Sequence, residues 1–145
     1  MIELRAIDRH NFYDIISLAV SESQKSFVAS NLYSIAEAKV KPECVPLAAY
    51  EGSTPVGFVM YSIDEDDEEY WISRLMIDEK HQGKGYGRQI LIKVIADIQA
   101  DKNYNKMYIS FEPDNAAARR LYESLGFRPD GRVIEGEEVY VLNYA

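Results

Sequence analysis

Apolar and polar residues alternate along IELRAI (2–7), a two-residue period that predicts a half-buried strand. The period then lengthens. In NFYDIISLAV (11–20), Phe12, Ile15, Ile16 and Leu18 recur at helical spacing, behind an Asp8 suited to cap a helix start. SQKSFVASNLYSIAEAKV (23–40) predicts one or two further helical pieces that end before Pro42. VPLAAYEG (45–52) and PVGFVMYSID (55–64) read as strands joined by a tight turn at Gly52-Ser53-Thr54. YWISRLMID (70–78) is a third strand, rich in β-formers and apolar enough for the middle of a sheet.

Further along, Ile90, Leu91, Val94, Ile95 and Ile98 form the stripe of a helix packed on a sheet. KMYISFEP (106–113) returns as a strand, so residues 70–112 have the spacing of a β-α-β crossover with parallel strands. In DNAAARRLYESLGF (114–127), Asp114 or Asn115 caps a helix whose face carries Ala118, Leu121, Tyr122 and Leu125, and Gly126 stops it. EEVYVLNY (137–144) closes as an alternating strand. An exposed apolar strand there would allow two chains to pair as a homodimer. The pattern predicts an α+β fold, a mixed sheet of six to seven strands flanked by helices, in one domain over residues 1–145.

Composition narrows the function classes. The hydrophobic fraction of 47% describes an ordinary folded chain. The single cysteine, Cys44, excludes an internal disulfide and fits a reducing compartment. No stretch reads as a secretory leader, and no apolar run approaches the roughly 20 residues of a membrane helix, so a cytoplasmic protein without a membrane partner is expected. A net charge of −8 argues against nucleic acid and favours a cationic partner. Part of that charge is the run DEDDEE (64–69), either a solvated loop or a collar that attracts a polyamine or other cation. His10 and His81 have no cysteine or paired carboxylate at ligand spacing, so no metal is expected.

The most specific feature is DEKHQGKGYGRQ (78–89), with Gly83, Gly85 and Gly87 at alternate positions just before the helical stripe. A turn from a strand into a helix start exposes unpaired amides and the positive end of the helix dipole, and glycines let that backbone approach an anion. Lys84 and Arg88 add charge at the rim, which predicts a phosphate or pyrophosphate site. A dinucleotide fingerprint would need glycine where Arg88 stands, and a nucleotide P-loop would need Ser or Thr where Gly85 stands.

The spacing Gln82-x-x-Gly85-x-Gly87 instead resembles the acyl-coenzyme A loop of the GNAT N-acetyltransferases. Two further segments carry the resemblance. RLMID precedes the loop where that family has an apolar strand whose splayed backbone bonds the pantetheine arm. Asn115 and Tyr122 in NAAARRLYESLGF match the family's N-x-x-A-x-x-x-Y-x-x-x-G-F segment. The likeness is firm over residues 46–128 and rests on the order of elements elsewhere. It implies the GNAT fold, with a splayed pair of parallel strands at the coenzyme site, and acetyl-CoA as co-substrate. The coenzyme side would then comprise Leu75, Met76, Ile77, Gln82, Gly83, Lys84, Gly85, Tyr86, Gly87, Arg88, Asn115 and Tyr122.

The implied reaction moves an acetyl group from a thioester to an amine. An aliphatic ammonium, with a pKa of about 10.4, is almost wholly protonated at neutral pH and must lose a proton before it attacks. An oxyanion must be stabilised and the departing thiolate protonated. The resemblance places the oxyanion donor at the amide of Met76 or Ile77 and makes Tyr122 the acid. Related polyamine acetyltransferases can carry a glutamate on the strand before the loop. Here that position is Ser73, followed by Arg74, and neither suits a base. Glu112, at the end of SFEP, is the expected substitute, with Glu69 and Tyr70 as lesser candidates.

For the acceptor, SESQKSFVASNLYSIAEA looks like the corresponding segment of bacterial spermine/spermidine acetyltransferases, matching at Phe27, Val28, Asn31, Ser34, Ala36, Glu37 and Ala38. A polyamine acceptor follows as an expectation, with Glu22, Asn31, Tyr33, Glu37, Glu69 and Trp71 on its side of the site. The alternatives are another small amine, a protein N-terminus, or a catalytically idle coenzyme A-binding sensor.

Overall fold

A computed structural model describes residues 1–144. Seven strands and four helices follow the chain order β1 (Ile2–Ala6), α1 (Phe12–Ser17), α2 (Asn31–Val40), β2 (Cys44–Glu51), β3 (Thr54–Ile63), β4 (Tyr70–Ile77), α3 (Tyr86–Gln99), β5 (Lys106–Phe111), α4 (Ala116–Ser124), β6 (Arg128–Ile134) and β7 (Glu137–Asn143). The strands form one sheet in the order β1-β2-β3-β4-β5-β7-β6. All neighbours are antiparallel except β4 and β5, which run parallel because α3 crosses between them.

Both faces of the sheet are covered. Ile90, Leu91, Val94 and Ile98 of α3 are buried against Val59, Ile72, Met107 and Ile109 in one core cluster. Each such side chain contributes about 1.5–3 kcal/mol relative to an exposed position. On the other face, Ile15 of α1 packs with Ala48, Phe58, Met60 and Met76, and Ile35 of α2 joins them.

The feature that matters most for the site lies at β4. In the β3–β4 ladder, Met60 pairs with Arg74 and Tyr61 with Ile72, leaving Ser73 as an extra residue. Such a bulge bends and over-twists its strand. On the opposite edge, β4 pairs with β5 only at Tyr70–Met107, Trp71–Tyr108 and Ile72–Ile109. Both strands run on, yet beyond the bulge they part. The expected splay is present, and its local cause is the bulge at Ser73.

Several expectations need correction. The first helix is six residues long and not ten, because Leu18 turns extended (φ −68°, ψ 137°) and ends it. Asp8 does not cap that helix; its carboxylate accepts the amides of His10 and Asn11 in the turn before it, and Asn11 occupies the cap position with its side chain turned back to the Asp8 amide and the Ala6 carbonyl rather than to the helix. Residues 128–134, unassigned by their pattern, form β6, a largely exposed strand whose register shifts between Pro129 and Val133. β7 is therefore no free edge: β5 and β6 flank it, which removes the strand-pairing route to a homodimer through residues 137–144.

Candidate functional site

The parted ends of β4 and β5 open into a cavity of about 810 Å³. Its lower end meets the glycine turn. Gly83 and Gly85 both take left-handed backbone (φ +79° and +80°), and Gly85 is the cap residue of α3. A residue with a Cβ is strained there, so these glycines shape the turn. Gly87 has a different role. It lies inside the first turn of α3 with ordinary helical backbone, and a Cβ placed on it would meet only Leu121 Cδ2 at 3.5 Å. It leaves the first amides of a 14-residue helix uncovered where they border the cavity.

Of the coenzyme-side candidates, Leu75, Met76, Ile77, Gln82, Gly83, Gly85, Tyr86, Gly87, Asn115 and Tyr122 all line this cavity. Gln82 is fixed by two bonds of its Nε2, to the Ile77 carbonyl and to Gln24 Oε1, both at 2.9 Å. Asn115, and not Asp114, caps α4, its Oδ1 accepting the Ala118 amide at 3.2 Å. Lys84 and Arg88 are exposed beside the turn and outside the lining, and Arg88 donates to Ser124 Oγ at 2.7 Å.

Tyr122 is 7% exposed, edge-on to Phe111 at 5.4 Å, and its hydroxyl bonds no other described residue. Burial, and then the charge of Glu137, push its phenol far above the ordinary tyrosine value. It is firmly protonated in the resting protein. It is also a weaker acid than a free phenol, which makes proton donation to a thiolate more uphill than the residue type alone implies.

The acceptor side differs from expectation. Trp71 lines the cavity, stacked on Tyr108 at 4.9 Å, and donates from Nε1 to Asp67 at 2.8 Å. The other five candidates do not reach it. Glu22 is exposed and paired with Lys25. Asn31 is buried, donating to the Ile15 carbonyl at 2.8 Å, so it ties α2 to α1. Tyr33 is 60% exposed on α2. Glu37 pairs with Arg74 and Lys41 and touches the site only through Arg74, which does line the cavity. Glu69 borders a separate hollow of about 240 Å³ with Tyr104 and Tyr144. Glu112 stays outside as well; its carbonyl accepts the Asn115 amide in the turn into α4, while its carboxylate is no part of the wall.

Two carboxylates do line the cavity, Asp64 and Glu137. Asp64 begins the acidic run, which forms the β3–β4 turn; its Oδ2 accepts the Asp66 amide. Glu137 opens β7, and its Oε1 accepts from Ser110 Oγ of β5 at 2.7 Å. Neither residue belongs to a local motif. The only sequence signal for Asp64 was its membership of the acidic run, and for Glu137 there was none, because strand register brings it to Ser110.

A wall is also supplied by the segment before α2, from which Val20, Gln24, Phe27 and Val28 line the cavity. Asp78 holds this segment down. Its Oδ1 accepts the Ala19 amide at 3.0 Å, and the Ala19 carbonyl accepts the Glu79 amide at 2.9 Å. The result is a two-ended slot: uncovered helix amides and left-handed glycines at one end, carboxylates, serines and a tryptophan at the other, with Tyr122 on the wall between.

Residues 12–127 match the model of the Acetyltransferase (GNAT) family. The spermine/spermidine N(1)-acetyltransferase of Bacillus subtilis is 33% identical over 147 aligned residues, covering 97% of each chain. Among solved structures, the spermidine N-acetyltransferase of Vibrio cholerae in complex with CoA and spermine superposes with a TM-score of 0.77 at 20% identity, over 99% of this chain and 95% of that one. An aminoglycoside acetyltransferase in complex with coenzyme A and kanamycin gives a TM-score of 0.80 at 18% identity with the same coverage. The two structural likenesses speak to the fold.

Proposed function

The chain belongs to the GNAT acetyltransferase family, and from that premise we propose that it transfers acetyl from acetyl-CoA to a primary amine of a polyamine such as spermidine or spermine. The observation that carries the reading is the two-ended slot. The α3 amides beyond Gly83 and Gly85 suit a pyrophosphate. The stretch of β4 from Ser73 to Ile77, held by β3 on one side but free of β5 on the other, supplies backbone donors for a pantetheine arm and a developing oxyanion. Acetyl-CoA supplies an activated acyl group on sulfur. Tyr122 is the proton donor that its place on the cavity wall allows.

A polyamine fits the other end. Asp64 and Glu137 are negative, and the net charge of −8 draws a polycation. The relative that is 33% identical over its near-full length is named for the same acceptors. One observation favours a second reading. Arg74 on the cavity wall has a buried Nε without a partner, which suits an acceptor bearing a carboxylate beside its amine.

Initial rates with acetyl-CoA against spermidine, spermine, lysine peptides, aminoglycosides and aspartate decide between these. A preference for the polyamines of at least tenfold in kcat/KM is expected. A preference for aspartate transfers the assignment to the second reading. Uptake of acetyl-CoA without turnover of any amine would make the protein a coenzyme sensor.

A further inference from the structure

The slot contains a tyrosine suited to give a proton, but none of the residues expected to take one. Ser73 and Arg74 occupy the β4 position, and Glu112 stays outside the wall. Resting on the acetyltransferase reading above, we propose that Glu137 of β7 is the group that receives the proton of the acceptor amine, working as a relay with Tyr122 on the same cavity wall.

Placement is the first argument. β5 leaves β4 after Ile109 but stays paired with β7, Ser110 opposite Val139 and Phe111 opposite Glu138. This register sets Glu137 beside the point where the strands part, on the cavity wall with Ser73, Ser110, Trp71 and Tyr122. Ser110 fixes the carboxylate through Oε1. Oε2 has no bond to a described residue and is available to an incoming N–H. The neighbouring carboxylate of Glu138 is already occupied by Arg119 of α4, so of the two adjacent glutamates one is structural and the other is free for substrate.

Coupling is the second argument. Burial holds the Tyr122 phenol high, and while Glu137 is ionised its charge adds to that opposition. The reaction itself removes the part that comes from the charge. The acceptor attacks as the neutral amine, the ammonium having first lost one proton to solvent; as its nitrogen bonds to the acetyl carbon, the surplus proton passes to Glu137, which becomes neutral. The carbon–sulfur bond then breaks with its electron pair on sulfur, and Tyr122 gives that sulfur a proton at the stage when no carboxylate charge resists it. One proton has left nitrogen and one has reached sulfur. The proton on Glu137 returns to the Tyr122 oxygen through solvent, and both groups are restored. Base and acid thus form one relay, with the acid strengthened by the base having acted.

The test is Glu137→Gln, which keeps an acceptor for Ser110 and removes charge and basicity. We expect kcat/KM for the preferred amine to fall about 10²- to 10⁴-fold, with acetyl-CoA affinity by calorimetry and the melting temperature unchanged. Glu137→Asp should restore part of the rate. In the double variant with Tyr122→Phe the losses should combine to less than the product of the single ones, since the two groups act as a unit. If E137Q keeps its rate within threefold of the parent, or its loss multiplies fully with that of Y122F, the relay is wrong. Should E137Q fold poorly, Ser110→Ala gives the same reading through a three- to tenfold loss; full activity there overturns the relay too. A parent protein that binds acetyl-CoA but acetylates nothing overturns the acetyltransferase reading itself, which sets that failure apart from one confined to Glu137.

Discussion

Asp78 and Ala19, 59 positions apart, are joined by a carboxylate–amide bond of 3.0 Å that closes the cavity from the N-terminal side. Asp78 is 8% exposed, and its second oxygen accepts the Lys80 amide. One side chain therefore both starts the turn after β4 and holds the segment carrying Val20, Gln24 and Phe27 against the site. Asp78→Ala leaves two amides without their acceptor, at about 1–3 kcal/mol. A lower denaturant midpoint and a raised KM for the amine are expected. A variant with parental values of both would show that the segment holds itself in place.

The glycines of the two walls should respond in opposite directions. At Gly57 a Cβ would stand 2.6 Å from the Met76 carbonyl oxygen and 3.0 Å from Ile77 Cδ1, in the β4 stretch that lines the cavity. Gly57→Ala forces β3 and β4 apart and should cost about 1–3 kcal/mol or more. Gly87→Ala meets ordinary contact and gains about 0.5–1 kcal/mol from helix preference. G87A should therefore melt no lower than the parent, yet lose acetyl-CoA affinity at least tenfold as its methyl covers the helix amides. Calorimetry beside a thermal melt checks both signs at once.

Tyr122→Phe removes a hydroxyl on the cavity wall that has no protein partner among the described residues, so stability should stay at the parent's level. If the hydroxyl protonates the leaving sulfur, kcat should fall about 10²- to 10⁴-fold while acetyl-CoA affinity stays level. Burst kinetics that show unchanged chemistry and slow product release would remove the tyrosine from its assigned role.

Alkaline stability tests the far end of the sheet. Tyr70 donates to Asp101 at 2.9 Å, and burial first, then that bond, push its phenol up to about 12. Because the folded value lies above the unfolded one of about 10, the contribution is fully present below pH 10 and is lost as pH climbs toward 12. Melting temperatures of the parent should drop across that window. Tyr70→Phe should start lower at neutral pH and drop less steeply from pH 10 to 12. Parallel curves for the two proteins would remove Tyr70 from the titrating set.

Local chemistry accounts for what could be read along the chain. The turn at 82–87 is legible because helix entry and left-handed backbone are properties of a few consecutive residues. The stripe of Ile90, Leu91, Val94 and Ile98, and the segment from Asn115 through Tyr122 to Gly126, are legible for the same reason: a helix writes its period into its own sequence. The acceptor side is different. Asn31 and Glu37 lie in the segment whose likeness implies substrate contacts, yet packing turns Asn31 onto the Ile15 carbonyl and gives Glu37 to Arg74. β6 leaves no trace in the pattern because an exposed strand with Asp130 and Gly131 carries no alternating stripe.

By itself, then, the sequence determined the helices, most of the strands and the glycine turn at 82–87. Tertiary structure alone decided which carboxylates face the cavity. The bulge at Ser73 parts β4 from β5, and the β5–β7 register sets Glu137 against Ser110, 27 positions away in the chain. Strand register is fixed by which faces bury and how neighbouring strands pair, so a one-residue slip would turn Glu137 to the opposite face with the local sequence unchanged.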